Sequence, residues 1–116
     1  MSNQIRAAHL LIKHDESRNP ISRRTGKAIT LLKKDAFAEL ESYKKKIIAE
    51  GVQESFSKYA FERSDCGSFS KFGDLGFFGR GQMQRPFEDA AFALSPGEMS
   101  GICSTDSGLH LIYRIQ

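Results

Sequence analysis

Apolar positions along the chain change period from one stretch to the next, and each period predicts an element. From Gln4 to His14 the run IRAAHLLIKH alternates with period two. Ile5, Ala7, His9, Leu11 and Lys13 fall on one face, and Arg6, Ala8, Leu10 and Ile12 on the other. Both faces carry too many apolar residues for an exposed edge, so this is an interior strand. From Ala28 to Glu50 the period lengthens: Ile29, Leu32, Ala36, Leu40, Tyr43 and Ile47 form one stripe at three- and four-residue steps. That is a long amphipathic helix, with Thr30 as a candidate cap, Glu41 and Lys45 as a favourable pair, and Gly51 as its stop. A shorter helix is predicted over Gln53 to Phe61, burying Phe56, Tyr59 and Ala60, and a polar loop runs from Ser64 to Gly73.

Gly73 to Gly101 has a third pattern. Its first half, GDLGFFGRGQMQ, mixes glycines with apolar residues, as a strand followed by a sharp turn requires. Pro86 with Glu88 and Asp89 opens a short helix whose Phe87, Ala90, Ala91 and Leu94 recur at helical spacing. Ser95-Pro96-Gly97 stops it. Met83 and Phe87, four apart, can face one side across the helix entry. Met99 to Thr105 and Leu109 to Ile115 then read as two strands joined by a tight turn at Asp106-Ser107-Gly108, with His110, Ile112 and Arg114 on one face of the last. Strand, long helix, short helix, strand, short helix, strand, strand gives an α+β domain, its four-stranded sheet mixed but largely antiparallel and surrounded by helices.

Composition narrows the class. A length of 116 residues suits one domain over 1–116, and 40% hydrophobic with 27% charged residues is a globular balance. No apolar run reaches membrane-spanning length, and the opening MSNQIRAAHL lacks a signal-peptide core. The two cysteines, Cys66 and Cys103, are expected as reduced thiols in an intracellular chain. There is no metal-spaced Cys/His cluster and no nucleotide-binding glycine motif, so neither metal nor cofactor is expected. A net charge of +3 suits an anionic ligand without demanding one.

Candidate chemistry comes from placement. His9 and Lys13 point the same way, about 13 Å apart along a strand. The loop DESRNPISRRTGK adds Arg18, Arg23, Arg24 and Lys27. It is either a solvated loop or, beside Lys13, an anion cradle, because guanidinium forks meet phosphate in a bidentate manner. Cys66 in SDCGS reads by itself as a small buried hydrophobe, and His9 as a satisfied core histidine.

GDLGFFGRGQMQRPFEDAAFAL with GEMSG closely resembles the signature of the parvulin family of peptidyl-prolyl cis/trans isomerases, and the fuller pattern resembles its phospho-Ser/Thr-Pro-directed eukaryotic branch. The AHLL strand with its lysine, SDC-x-S and TDSGLH extend the resemblance over nearly the whole chain. It implies a four-stranded sheet with surrounding helices and catalysis of rotation about X–Pro bonds. Leu75, Met83 and Phe87 would wall the proline pocket, with Gln84 available for a backbone hydrogen bond. Cys66 would face the rotating bond, with Ser107 tuning polarity near its carbonyl. His9 and His110, partners across adjacent strands, would order a network below with Thr105. Lys13 and Arg18 would bind phosphate. Asn19 stands where the family has a second adjacent arginine, and Arg23 or Arg24 could substitute for it.

The expected partners are proline-containing proteins with phosphorylated Ser/Thr-Pro segments, met by a monomer in cytoplasm and nucleus, without membrane. The mild charge and the lack of an aromatic-interleaved basic motif argue against nucleic acid. With no Trp, the chain corresponds to the catalytic domain without a WW module. The alternatives are a parvulin without phosphate preference serving as a general folding helper, and a non-catalytic phospho-Ser/Thr-Pro reader.

Overall fold

The computed structural model describes residues 3–116; Met1 and Ser2, which open the MSNQIRAAHL stretch and the 1–116 domain, lie outside the described residues. Strand β1 (Ile5–Ile12) is followed by α1 (Lys33–Glu50), α2 (Val52–Arg63), a 3-10 turn at Gly67–Lys71, β2 (Asp74–Phe78), α3 (Arg85–Phe92), β3 (Cys103–Thr105) and β4 (Gly108–Arg114). The sheet order is β2-β1-β4-β3. All three pairings are antiparallel, so the sheet is purely antiparallel rather than mixed.

β1 is interior because both of its faces are covered. Ala8, Leu10 and Ile12 join Ala36, Leu40 and Ile47 of α1 and Phe56, Tyr59 and Ala60 of α2 in one core. Ile5 and Ala7 join Phe78, Phe87, Ala91 and Ile112 in a second core on the opposite face. The period-two division of β1 thus separates a helix-packed scaffold face from the face that carries α3.

Several boundaries differ from the sequence expectation for identifiable reasons. The long helix begins at Lys33, not Ala28, and Leu32 rather than Thr30 is its N-cap, without a side-chain cap. Residues 28–32 belong instead to the preceding loop: Ala28 bridges Ile21, Ile29 N donates to Pro20 O, and Asp15 N donates to Leu31 O. Hydrogen bonds to that loop compete with helix formation and win. α2 runs from Val52 to Arg63, and Gly51 at φ 97° serves as the shared joint of the two helices. The polar loop before Gly73 contains the 3-10 turn. The strand expected from Met99 shortens to Cys103–Thr105, leaving a lone bridge between Met99 and Tyr113. Between them Ser100 turns its hydroxyl to Ile112 N and Gly101 O.

Gly73 shows why a glycine precedes β2. Its φ is +82°, and a Cβ there would lie 2.4 Å from His9 O, while Gly73 O accepts from His9 N at 2.9 Å. Gly73→Ala is therefore expected to destabilise the fold by about 2–3 kcal/mol, read from the urea midpoint. An unchanged midpoint would contradict this packing.

Candidate active site

The open ends of β1, β4 and the loop after α2 converge over the second core. His9 lies opposite Ile112 and His110 opposite Leu11, so the two histidines are diagonal neighbours rather than a directly facing pair. The diagonal suffices for contact. Their Nδ1 atoms are 2.9 Å apart, and the rings stack at 5.1 Å between centroids with 21° between planes. Both residues are buried. Phe87 meets each ring edge-on, with centroids 5.4 Å from His9 and 5.1 Å from His110. Leu75 and Met83, half-buried, pack against the same core as Phe87. The three apolar residues singled out in the sequence thus share one core, and Phe87 joins that core to the histidine pair.

One Nδ1 must donate and the other accept. His110 Nε2 is 2.7 Å from Thr105 Oγ1, which accepts from Ser107 N at 3.1 Å. Burial, and then the charge of His9, push His110 well below the ordinary histidine value. His110 is neutral near pH 7, and the chain Thr105–His110–His9 transmits orientation rather than a second charge.

Cys66 caps the 3-10 turn, its Sγ accepting from Ser68 N at 3.5 Å. Burial works to raise its thiol, but the interaction with His9, helped by Ser68, outweighs it and brings the thiol down to about 6. His9 Nε2 makes no hydrogen bond among the described residues and its Nδ1 is taken by His110, so its pull on the thiol is that of a neighbouring imidazole. A depressed thiol stabilises the folded state fully above its unfolded value of 9.0 and loses that contribution as pH falls through about 6. The protein is therefore expected to gain stability relative to Cys66→Ser as pH rises from about 6 to 9. Paired denaturation curves check this, and parallel pH profiles would refute it.

Beside Cys66 opens a cavity of about 300 Å³ lined by Lys13, Arg18, Asn19, Arg23, Cys66 and Ser107, with Leu11 and Gly67. Lys13 is buried; its Nζ donates to Asn19 O at 2.9 Å and Ile21 O at 2.7 Å, leaving one N–H uncommitted. Burial, and then the charges of Arg23 and Arg18, lower its pKa against the opposing pull of Asp65 and Cys66. Such a cation gains from an incoming anion. Arg23 lines the cavity; Arg24 does not, and its Nε is buried without a partner. Of Arg23 and Arg24, Arg23 is the one that lines this cavity.

Gln84 is tied down: its Nε2 donates to Ser107 Oγ at 2.8 Å, and its Oε1 accepts from Asp106 N at 3.0 Å. One N–H and one lone pair remain for a ligand. Glu88, buried, accepts from Arg80 Nη1 at 3.0 Å and from Gly81 N, bracing the glycine turn against α3. Cys103 is half-buried with Sγ near Pro86 O, a packing role.

Asp65 was not singled out in the sequence. Its Oδ2 accepts from Lys13 N at 3.0 Å, and its Oδ1 accepts from Ser22 Oγ at 2.7 Å and Arg63 Nη1 at 3.1 Å. Its backbone donates to Leu11 O and accepts from Arg23 N. One buried carboxylate thus joins β1, the basic loop and the cysteine loop. The only sequence signal was a charge between Ser64 and Cys66, indistinguishable from a solvated one.

Residues 9–116 match the Rotamase family, the PPIC-type PPIase domain. The chain belongs to this family of prolyl isomerases. Peptidyl-prolyl cis-trans isomerase ssp-1 of Neurospora crassa is 51% identical over 113 residues, covering 97% of this chain and 60% of that protein. Among solved structures, the peptidyl-prolyl isomerase ESS1 from Candida albicans superposes with a TM-score of 0.92 at 41% identity, covering 98% of this chain and 63% of that one. The solution structure of TbPIN1 matches with a TM-score of 0.88 at 50% identity and full coverage of both chains. The chain thus spans less than two thirds of the first two proteins and has the size of the catalytic domain alone. It carries a parvulin-type peptidyl-prolyl cis-trans isomerase domain, with the four-stranded sheet of its structural neighbours. Among the described residues no group of His, Cys, Asp or Glu is arranged to hold a metal ion, and no helix is long and apolar enough to cross a membrane.

Proposed function

We propose that this isomerase domain acts by non-covalent catalysis and prefers phospho-Ser/Thr-Pro segments. The observation that carries the preference is the 300 Å³ cavity where Lys13, Arg18 and Arg23 meet Cys66 and Ser107. A phosphate of charge about −1.5 to −2 on the residue before proline suits that wall. The proline ring rests on Leu75, Met83 and Phe87, and the X–Pro bond then spans the space between phosphate and ring, beside Cys66.

Rotation crosses a barrier of about 18–20 kcal/mol because amide resonance is lost in the twisted state. Rate enhancement of ~10⁴-fold needs only about 5–6 kcal/mol of preferential transition-state binding. Holding the ring and the phosphate while the intervening carbonyl turns past Cys66 and Ser107 supplies such a preference, because a planar amide loses more than a twisted one in dry surroundings. Gln84 orients the backbone. His9, His110 and Thr105 set the hydrogen-bond polarity beneath Cys66 without touching the peptide. The thiol forms no adduct, since no bond is broken. The substrates are proline-containing proteins, met by a monomer in cytoplasm and nucleus; free thiols at Cys66 and Cys103 suit a reducing compartment.

NMR exchange spectroscopy on matched pSer-Pro, Glu-Pro and Ser-Pro peptides tests the reading. Fast exchange for the phosphopeptide alone is expected. Equal exchange for all three would discard the phosphate preference and leave a general folding helper. Binding without accelerated exchange would leave a phospho-motif reader.

A further inference from the structure

The far side of Gln84 is not closed. A second cavity of about 570 Å³ lies there, lined among others by His14, Glu16, Lys33, Gln84, Arg85 and Asp106. It is built on the same entry to α3 as the proline pocket: Met83 and Phe87 turn toward the core, while Gln84, Arg85 and Pro86 face this cavity. Glu16 and Lys33 also line a third cavity of about 510 Å³, where Leu32, Phe37 and Leu109 form an apolar wall and Lys34 a rim. The two cavities share Glu16 and Lys33, and the nearer one borders the proline pocket at Gln84, next in sequence to Met83.

Three features of this extension lack an internal explanation. Leu32 and Phe37 are 47% and 48% exposed side by side at the start of α1. Lys33 and Lys34 occupy the first turn of that helix, where the macrodipole disfavours cations, and make no ion pair among the described residues. His14 is buried; its Nδ1 accepts from Glu16 N at 3.1 Å, so its neutral ring carries the proton on Nε2, which has no partner. An apolar surface, two cations without an ion pair and a donor without a partner favour an occupant that is apolar with acidic neighbours, even with Asp35 in the same turn and Glu16 on the cavity wall.

We propose that the groove continues past the proline pocket and binds the substrate polypeptide C-terminal to the proline. An apolar side chain would enter the Leu32/Phe37 cavity and an adjacent carboxylate would meet Lys33 and Lys34. The proposal rests on the isomerase reading. With the residue before proline held at Lys13, Arg18 and Arg23, the segment leaving the ring on the Gln84 side is the one after it. Two cavities of this size are crossed by roughly four to six extended residues at about 3.3 Å each.

The test uses a short pSer-Pro peptide, the same peptide with a Leu-Glu pair about five residues downstream, and one with the pair equally far upstream. Titration calorimetry and NMR exchange are run on the wild type, Phe37→Ser and Lys33→Glu. The downstream peptide is expected to bind about tenfold tighter than the short one, as burial of one large apolar side chain predicts. Phe37→Ser and Lys33→Glu should erase that gain and leave the short peptide's binding and exchange unchanged. An equal gain for the upstream peptide, or a gain that survives Phe37→Ser, overturns the proposal. So does concentration-dependent dimerisation abolished by Phe37→Ser, which would assign the patch to a second copy. Absent exchange on every peptide would sink the isomerase reading instead, while the binding comparison would still decide the groove.

Discussion

Lys13→Met is expected to lower kcat/KM on a pSer-Pro peptide roughly 10- to 100-fold, the loss of a charge-assisted hydrogen bond, and to leave the Ser-Pro peptide nearly unchanged. Methionine keeps the buried stem and removes only the ammonium group. The lysine is already desolvated in the free protein and crowded by Arg23 and Arg18. Much of the cost of burying the charge is therefore met by folding, and a phosphate recovers it on binding. The substitution also removes the Lys13 donor from the carbonyls of Asn19 and Ile21, of which Asn19 O keeps Ile21 N. Arg18→Met, which disturbs neither carbonyl, separates the two effects: it should weaken the phosphopeptide alone. Steady-state assays at several salt concentrations provide the check, since a phosphate contact weakens with ionic strength. An equal loss on both peptides would mean that Lys13 acts only by holding the loop.

The other large effect is on stability. Asp65→Ala should cost about 3–5 kcal/mol, because it leaves Arg63 without one partner of a buried pair. It also removes the acceptor for Lys13 N and Ser22 Oγ. Arg63 retains its ion pair with Glu39, so the fold should survive with a lowered urea midpoint and an unchanged m-value. Asp65→Asn, keeping an acceptor of the same shape, should recover part of the loss. A cost under about 1 kcal/mol for the alanine variant would return Asp65 to the class of ordinary surface charges.

Lys13 and Asp65 both have partners far away in sequence, and such partnerships are where sequence reading stops. The period-two strand from Ile5, the helical stripe ending at Gly51, the glycine-rich turn before Pro86 and the closing hairpin are local patterns, and local patterns determined the elements. The motif around Leu75, Met83, Phe87, Cys66 and His110 likewise named residues that the fold brings near one another, because each sits at a position fixed by its own strand or turn. Contacts between side chains that meet across the fold were not legible. Helix α1 starts five residues late because Ala28, Ile29 and Leu31 bond back to residues 15–21 of the preceding loop. The histidines touch on a diagonal, and a pattern of alternation cannot distinguish diagonal from direct neighbours. Arg23 and Arg24 are adjacent and chemically identical; only the path of the basic loop over Asp65 turns one into the cavity and the other away. The sequence by itself determined the elements, the family and the residue types of the site, because backbone preference and hydrophobic period act over a few residues. The tertiary structure decided which charges are buried, which thiol lies beside a histidine and which arginine faces the cavity, because those depend on distances between segments that the chain order does not encode.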